Sequence, residues 1–179
     1  MSLDIMKTIS TTRSIHAPVE VVFDTIADVR NFSKAVPHIV KVEFQTEQRV
    51  GEGTRFLETR IMNGREATVE LEVAQYVKNE RVRMISDAGG TVWDTVFTVE
   101  ELDGKTEMKM AMEAKPHKFL ARIMNWLIRG MVAKAVEADM DALKDYCELI
   151  NQNTHRLYSR STRSNPFDAT RLNLLRFHH

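Results

Sequence analysis

Apolar residues recur along this chain with two periods, and the changes between them predict its elements. Residues 7–15 alternate: Ile9, Thr11, Arg13 and Ile15 fall on one face, Thr8, Ser10, Thr12 and Ser14 on the other. The β-branched content favours a strand. Pro18 then suits the first position of a helix, where a backbone N–H would have no partner. Val19, Val22, Phe23 and Ile26 follow at helical spacing. Asp28 is placed to cap a second short helix that carries Phe32 and Lys34 and ends at Pro37.

From residue 38 the period is two. Val40, Val42 and Phe44 share a face, opposite Lys41, Glu43 and Gln45. Gly51 and Gly53 mark a turn, residues 54–62 a strand, and Asn63-Gly64 a tight hairpin. Residues 67–76 alternate next, with Ala67, Val69, Leu71 and Val73 together. Lys78-Asn79-Glu80 turns the chain into Val82-Met84-Ser86. Gly89-Gly90 turns it into residues 91–100, and Asp103-Gly104 into a last strand with Thr106, Met108, Met110 and Met112 on one face.

After Pro116 the period is helical for some thirty residues, giving a helix over roughly 117–148 that would be about 45 Å long. Leu120, Met124, Leu127, Met131, Ala135 and Ala138 form one stripe, which Ile128, Val132, Val136, Met140 and Leu143 widen. Short turns between successive strands imply an antiparallel meander. Such a sheet buries one face, and only the long helix is large enough to cover it. The fold class is therefore α+β, a seven-stranded antiparallel sheet wrapped around a carboxy-terminal helix, with two short helices after the first strand.

Charge changes this picture only at the end of the chain. Lys plus Arg and Asp plus Glu number 25 each, which points to no nucleic-acid partner for the folded domain. Residues 151–179 carry five arginines against Asp168, with little periodicity. We therefore expect a domain over 4–150 and a basic, disordered tail over 151–179. No apolar run approaches the roughly 20 residues that span a bilayer, and no signal peptide is evident at the amino terminus. The single Cys147 allows no intramolecular disulfide, consistent with a cytoplasmic location. Oligomeric state is not legible.

The order of elements, with several short motifs, resembles the START-like (SRPBCC) superfamily, which includes polyketide cyclase/dehydrase and lipid-transport-like proteins. His16-Ala17-Pro18-Val19-Glu20-Val21-Val22-Phe23 is similar to the family's entry into its first helix, and Ala27-Asp28-Val29 with Val36-Pro37 to its second-helix segment. Val50-Gly51-Glu52-Gly53-Thr54 resembles its early turn, and Trp93-Asp94-Thr95-Val96-Phe97 a later strand. The resemblance implies a helix-grip fold with a cavity between sheet and helix for a small hydrophobic or amphipathic ligand. It implies no single reaction.

Candidate lining residues follow from the faces. Met108, Met110 and Met112 form an adaptable row, as variable ligand shapes require; ordinary core packing is the competing reading. Trp93 and Phe97 share a strand face, and Trp93 brings an N–H donor. Leu127 and Met131 supply the helix side. Gly130, in mid-helix, marks either a close approach or a tolerated position. Residues 54–62 offer two faces: Arg55, Leu57, Thr59 and Ile61, or Phe56, Glu58, Arg60 and Met62. The first is preferred inward because its centre is less charged, which leaves Glu58 and Arg60 in solvent. The second would put a carboxylate and a guanidinium into the cavity, able to bind a polar head or to pair a base with an oxyanion partner. His38, in register with Val40, and His117 are further acid–base candidates, although loop histidines are far commoner.

No metal-ligand spacing, phosphate loop or nucleophile elbow is present, and no cofactor is implied. Cys147 lies at a helix end without a histidine near in sequence. Three functions compete: a carrier of a hydrophobic or polyketide-like molecule, a cyclase or dehydratase, and a co-chaperone or ribosome-interaction protein. The lack of a visible catalytic constellation favours the carrier. An inward acid–base pair would favour the enzyme, and a large exposed apolar patch the interaction role.

Overall fold

The computed structural model describes residues 8–62 and 64–163, and side chains as far as Leu157. The elements run β1 (Ile9–Ile15), α1 (Val19–Ala27), α2 (Val29–Ala35), β2 (Ile39–Phe44), β3 (Arg55–Met62), β4 (Arg65–Val77), β5 (Arg81–Ala88), β6 (Thr91–Leu102), β7 (Lys105–Pro116) and α3 (Phe119–Arg163). The strands form one antiparallel sheet in the order β1-β7-β6-β5-β4-β3-β2. It is a meander from β2 to β7, closed by β1 against β7. Pro18 stands just before α1, and its carbonyl accepts the Val21 and Val22 N–H groups. Asp28 caps α2 by accepting from the Arg30 backbone N–H at 2.9 Å.

The expected turn residues make the hairpins. Asn79 and Asp103 adopt positive φ, as Asn and Asp tolerate better than most residues. Gly90 does more than turn the chain. Its φ is 81°, and a Cβ there would lie 2.7 Å from the Lys118 side chain at the start of α3. The Gly90 carbonyl also accepts the His117 N–H at 3.0 Å. The β5–β6 turn thus anchors the amino end of α3.

One face of the sheet carries the core. Val82, Phe97, Met108 and Met110 pack with Phe23 and Ile26 of α1, Phe32 of α2, and Val136, Met140, Leu143 and Cys147 of α3. Phe32 meets Phe97 edge-on at 6.0 Å between ring centroids.

Four sequence expectations need correction. A register shift between Ile39 and Lys41 turns Ile39 inward and leaves Val40 48% exposed, so His38 is also exposed and not in an inward register. Such bulges leave no mark in the alternation itself. On β3 the face with Phe56, Glu58 and Arg60 points inward, not the less charged one. On α3 the buried stripe is Ala121, Val136, Met140, Leu143 and Cys147, with Ile128 and Val132 partly covered. Leu120, Met124, Leu127 and Met131, one position away in phase, are exposed. Lastly, α3 continues unbroken past Ile150 to Arg163, and Asn151 donates to the His16 carbonyl at 2.9 Å. Residues 151–163 are helix, not an irregular tail; residues 164–179 lie outside the described ones.

The convex face has its own charge cluster. Arg83 grips Asp94 through Nε at 2.8 Å and Nη2 at 2.7 Å, and Lys115 adds Nζ at 3.0 Å. The Arg83 hydrogen bonds, outweighing the cost of burial and helped by Lys115, lower the Asp94 carboxyl from 3.8 to about 2. A depressed carboxylate contributes stability that is full above its unfolded pKa and lost as pH falls through its folded one. Between pH 4 and pH 2 this site should lose about 1–2 kcal/mol, a figure reduced for solvent screening of the partly exposed Arg83 and Lys115. Urea midpoints of wild type and Asp94→Asn should converge across that interval; parallel curves would show that Asp94 contributes nothing there.

Candidate functional site

Cross-strand pairing sorts the concave face into rows. Val82, Phe97, Met110 and Thr11 make one row, and every member is buried. The next holds Met84, Thr95, Met112 and Ile9, all only partly covered. Beyond it lie Ser86, Trp93 and Ala114, and Trp93 and Ala114 are again partly covered. The face then closes at Thr91, which is 1% exposed and accepts a hydrogen bond from Asn125 of α3 at 3.0 Å. A stretch around Thr95 and Trp93 is therefore half-covered, between two buried ends. Its wall is apolar except for Thr95, Ser86 and the Trp93 N–H.

The middle of α3 is clamped on both flanks. On one, Arg13 of β1 pairs with Glu137 at 2.5 Å and Asp141 at 2.7 Å, while Thr11 donates to Glu137 at 3.0 Å. On the other, Arg60 of β3 pairs through Nη1 with Asp139 at 2.5 Å and through Nε with Glu58 at 2.5 Å. Glu58 is 4% exposed, whereas the Arg60 side chain keeps 26% exposure. Burial alone would lower the Arg60 guanidinium, but the charges of Glu58 and Asp139, with their hydrogen bonds, raise it. One guanidinium thus bridges two carboxylates between β3 and α3. Such a group can hold a hydroxyl or amide of an amphipathic molecule.

A family model described as polyketide cyclase / dehydrase and lipid transport matches residues 6–148. The chain belongs to that family. Its helix-grip fold is also that of solved relatives in the same size range. The Zhui aromatase/cyclase of a Streptomyces species superposes with a TM-score of 0.66 at 18% identity, over 80% of this chain and 94% of its own. A protein of Thermus thermophilus gives 0.65 at 15%, over 78% and 96%. The di-domain aromatase/cyclase StfQ of the steffimycin biosynthetic pathway gives 0.62 at 9%, over 79% of this chain and 51% of its own. No curated protein sequence matches this chain. At these identities the structural likeness establishes the fold alone.

Against this family fold, the lining residues proposed from sequence divide into three groups. Trp93 and Met112 border the half-covered stretch. Phe97, Met108 and Met110 face the same way but are buried in the core beneath it. Leu127, 61% exposed, and Met131, 39% exposed, sit on the outer side of α3. Glu58 and Arg60 come together as an inward pair; His38 lies beside them in register, its carbonyl accepting the Ile61 N–H at 2.9 Å, but it is exposed.

Sequence reasoning missed Asp139, Thr95, Met84 and Asn125. Asp139 had a signal: a carboxylate between Val136 and Met140 falls within the buried stripe of the helix, where a charge demands a partner. Burial pushes the Cys147 thiol up, which fits an inert core residue. A Cβ on Gly130 would meet nothing within 4 Å, so no close approach explains that glycine.

Among the described residues no group of His, Cys, Asp and Glu could hold a metal ion, and no helix is long and apolar enough to cross a membrane. Two hollows lie away from the half-covered stretch. One, of about 340 Å³, lies among His16, Lys105 and His155; the other, of about 520 Å³, lies over Arg81, Thr98 and Lys109 on the convex side.

Proposed function

We propose that this family member binds a small amphipathic molecule, lipid or polyketide-like, between the concave face and the amino-terminal half of α3. The apolar body lies against Trp93, Thr95, Met84 and Met112, and the polar end reaches toward Arg60 and its carboxylates. The observation that supports this reading is the set of half-covered apolar rows, bounded by Thr91–Asn125 at one end and by the buried Phe97 row at the other. Binding sites of this kind are mostly apolar with a few fixed polar groups. The single buried Cys147 supports a cytoplasmic setting for it.

The chain has two tryptophans, so Trp126→Phe leaves Trp93 as the sole reporter. Titration with a hydroxylated polyaromatic such as a trihydroxyanthraquinone should quench Trp93 saturably. Adding Thr95→Phe, which fills the floor of the groove, should weaken the apparent affinity by about tenfold or more, roughly 1.4 kcal/mol, with the thermal midpoint nearly unchanged. Quenching that survives Thr95→Phe undiminished would place the ligand elsewhere.

A cyclase or dehydratase activity is the second reading, favoured by the inward direction of Glu58 and Arg60. A base near an acidic C–H and a cation near the developing enolate oxygen is the arrangement that chemistry needs. In that case Glu58→Gln abolishes turnover of a polyketide-like substrate and leaves its affinity nearly intact. Turnover that survives the substitution excludes Glu58 as the base.

A further inference from the structure

The outer side of the first turns of α3 is unusual for a surface. Phe119 is 75% exposed, Leu120 77%, Ile123 49%, Met124 56%, Trp126 71% and Leu127 61%. At roughly 100° per residue these six side chains span a continuous arc of about 160°. The opposite side of the same turns is the one that meets the protein, through Ala121, Asn125 and Ile128. The apolar arc is therefore not the core face of the helix; it is a second apolar face, turned to solvent. Scattered exposed apolar residues need no explanation, but six within nine positions do.

Charge distinguishes what this face fits. From residue 114 to residue 136 the sequence holds five lysines and arginines and no acid, in a chain whose formal net charge is zero. Lys118, Arg122, Arg129 and Lys134 are exposed and make no ion pair among the described residues. Arg122 and Arg129 lie together along one flank of the arc, next to Trp126, by the same helical count. A self-association face would set this single-sign rim against its own copy, and like-charge juxtaposition is unfavourable. A rim of one sign around Trp, Phe and Leu suits the interface of an anionic bilayer, where the apolar arc enters the acyl boundary and the cations meet headgroups.

We infer that the amino-terminal half of α3 is a docking surface for anionic lipid bilayers. The helix lies in the plane of the interface and does not cross it, since Arg122 and Arg129 interrupt the apolar sequence within two turns of each other. The same turns carry Asn125 and Ile128 toward the sheet, so docking sets the membrane against the helix that covers the proposed groove. The inference does not depend on what the groove holds.

The test uses the full chain with Trp93→Phe, so that Trp126 alone reports, and vesicles of phosphatidylcholine with or without about one-third phosphatidylglycerol. Binding to the anionic vesicles with a blue-shifted Trp126 emission is expected. Leu120→Ser with Leu127→Ser should weaken it by about tenfold or more. Arg122→Glu with Arg129→Glu should weaken it comparably, as should about 0.5 M NaCl, which screens exposed charges. All four side chains are exposed, so thermal midpoints should hold; if the double leucine variant is destabilised, Leu127→Ser alone is compared. No partition of the Trp93→Phe protein onto anionic vesicles would overturn the inference, as would equal binding to neutral ones. A dimer in analytical ultracentrifugation that the leucine substitutions dissolve would also overturn it, assigning the face to a second copy of the chain.

Discussion

Leu143→Ala should destabilise the protein by about 3–4 kcal/mol in urea unfolding, while Leu127→Ala, on the same helix, should change it by no more than about 0.5 kcal/mol. Leu143 is fully buried, and its stripe packs on α1, α2 and β1. Truncation there removes the transfer free energy of the side chain and opens a cavity in a close-packed site. Leu127 projects into solvent, so its truncation empties nothing. For a domain of this size the buried change should lower the thermal midpoint by roughly 10 °C. Comparable losses from both variants would mean that α3 is rotated in phase from the arrangement described.

The second large effect is at Arg60. Arg60→Met should cost about 3 kcal/mol, because it strands Glu58, which is almost wholly buried, and removes the partner of Asp139. The loss comes from an uncompensated buried charge more than from the intrinsic strength of the pair. A second substitution that removes the charge, Glu58→Gln in the Arg60→Met background, should therefore restore more than half of it. Additive losses in this cycle would show that the two side chains do not interact. The corresponding change at Arg13, whose partners Glu137 and Asp141 are largely exposed, should cost well under 1 kcal/mol.

The two substitutions also show which features of the molecule are legible from residues alone. Hairpins at Asn79, Gly89-Gly90 and Asp103-Gly104 are fixed by local backbone preferences, so the meander can be read directly. The face of β1, the face of β7 and the cap at Asp28 follow in the same way. The direction of β3 cannot be read so. Its two faces have similar apolar content, and Glu58 points inward because Arg60 and a helix residue 79 positions away from Arg60, Asp139, satisfy the charge there. No local pattern contains that partner. The phase of α3 is obscured by a different cause. Phe119, Leu120, Ile123, Met124, Trp126, Leu127 and Ile128 spread over more than half of the helix circumference, so periodicity does not choose between the stripe that packs and the one that faces solvent. The outward phase of Leu127 and the exposure of His38 beside the bulge in β2 both arise from such non-local facts.

The methionines report directly on the proposed groove. With ¹³C-methyl methionine labelling, titration of a trihydroxyanthraquinone should shift Met84 and Met112, which flank Thr95 on the concave face. Met108 and Met140, at 0% and 1% exposure in the core, should remain in place, and so should Met124 on the outer side of α3. Shifts at Met124 with Met84 and Met112 unmoved would contradict the groove as the binding site.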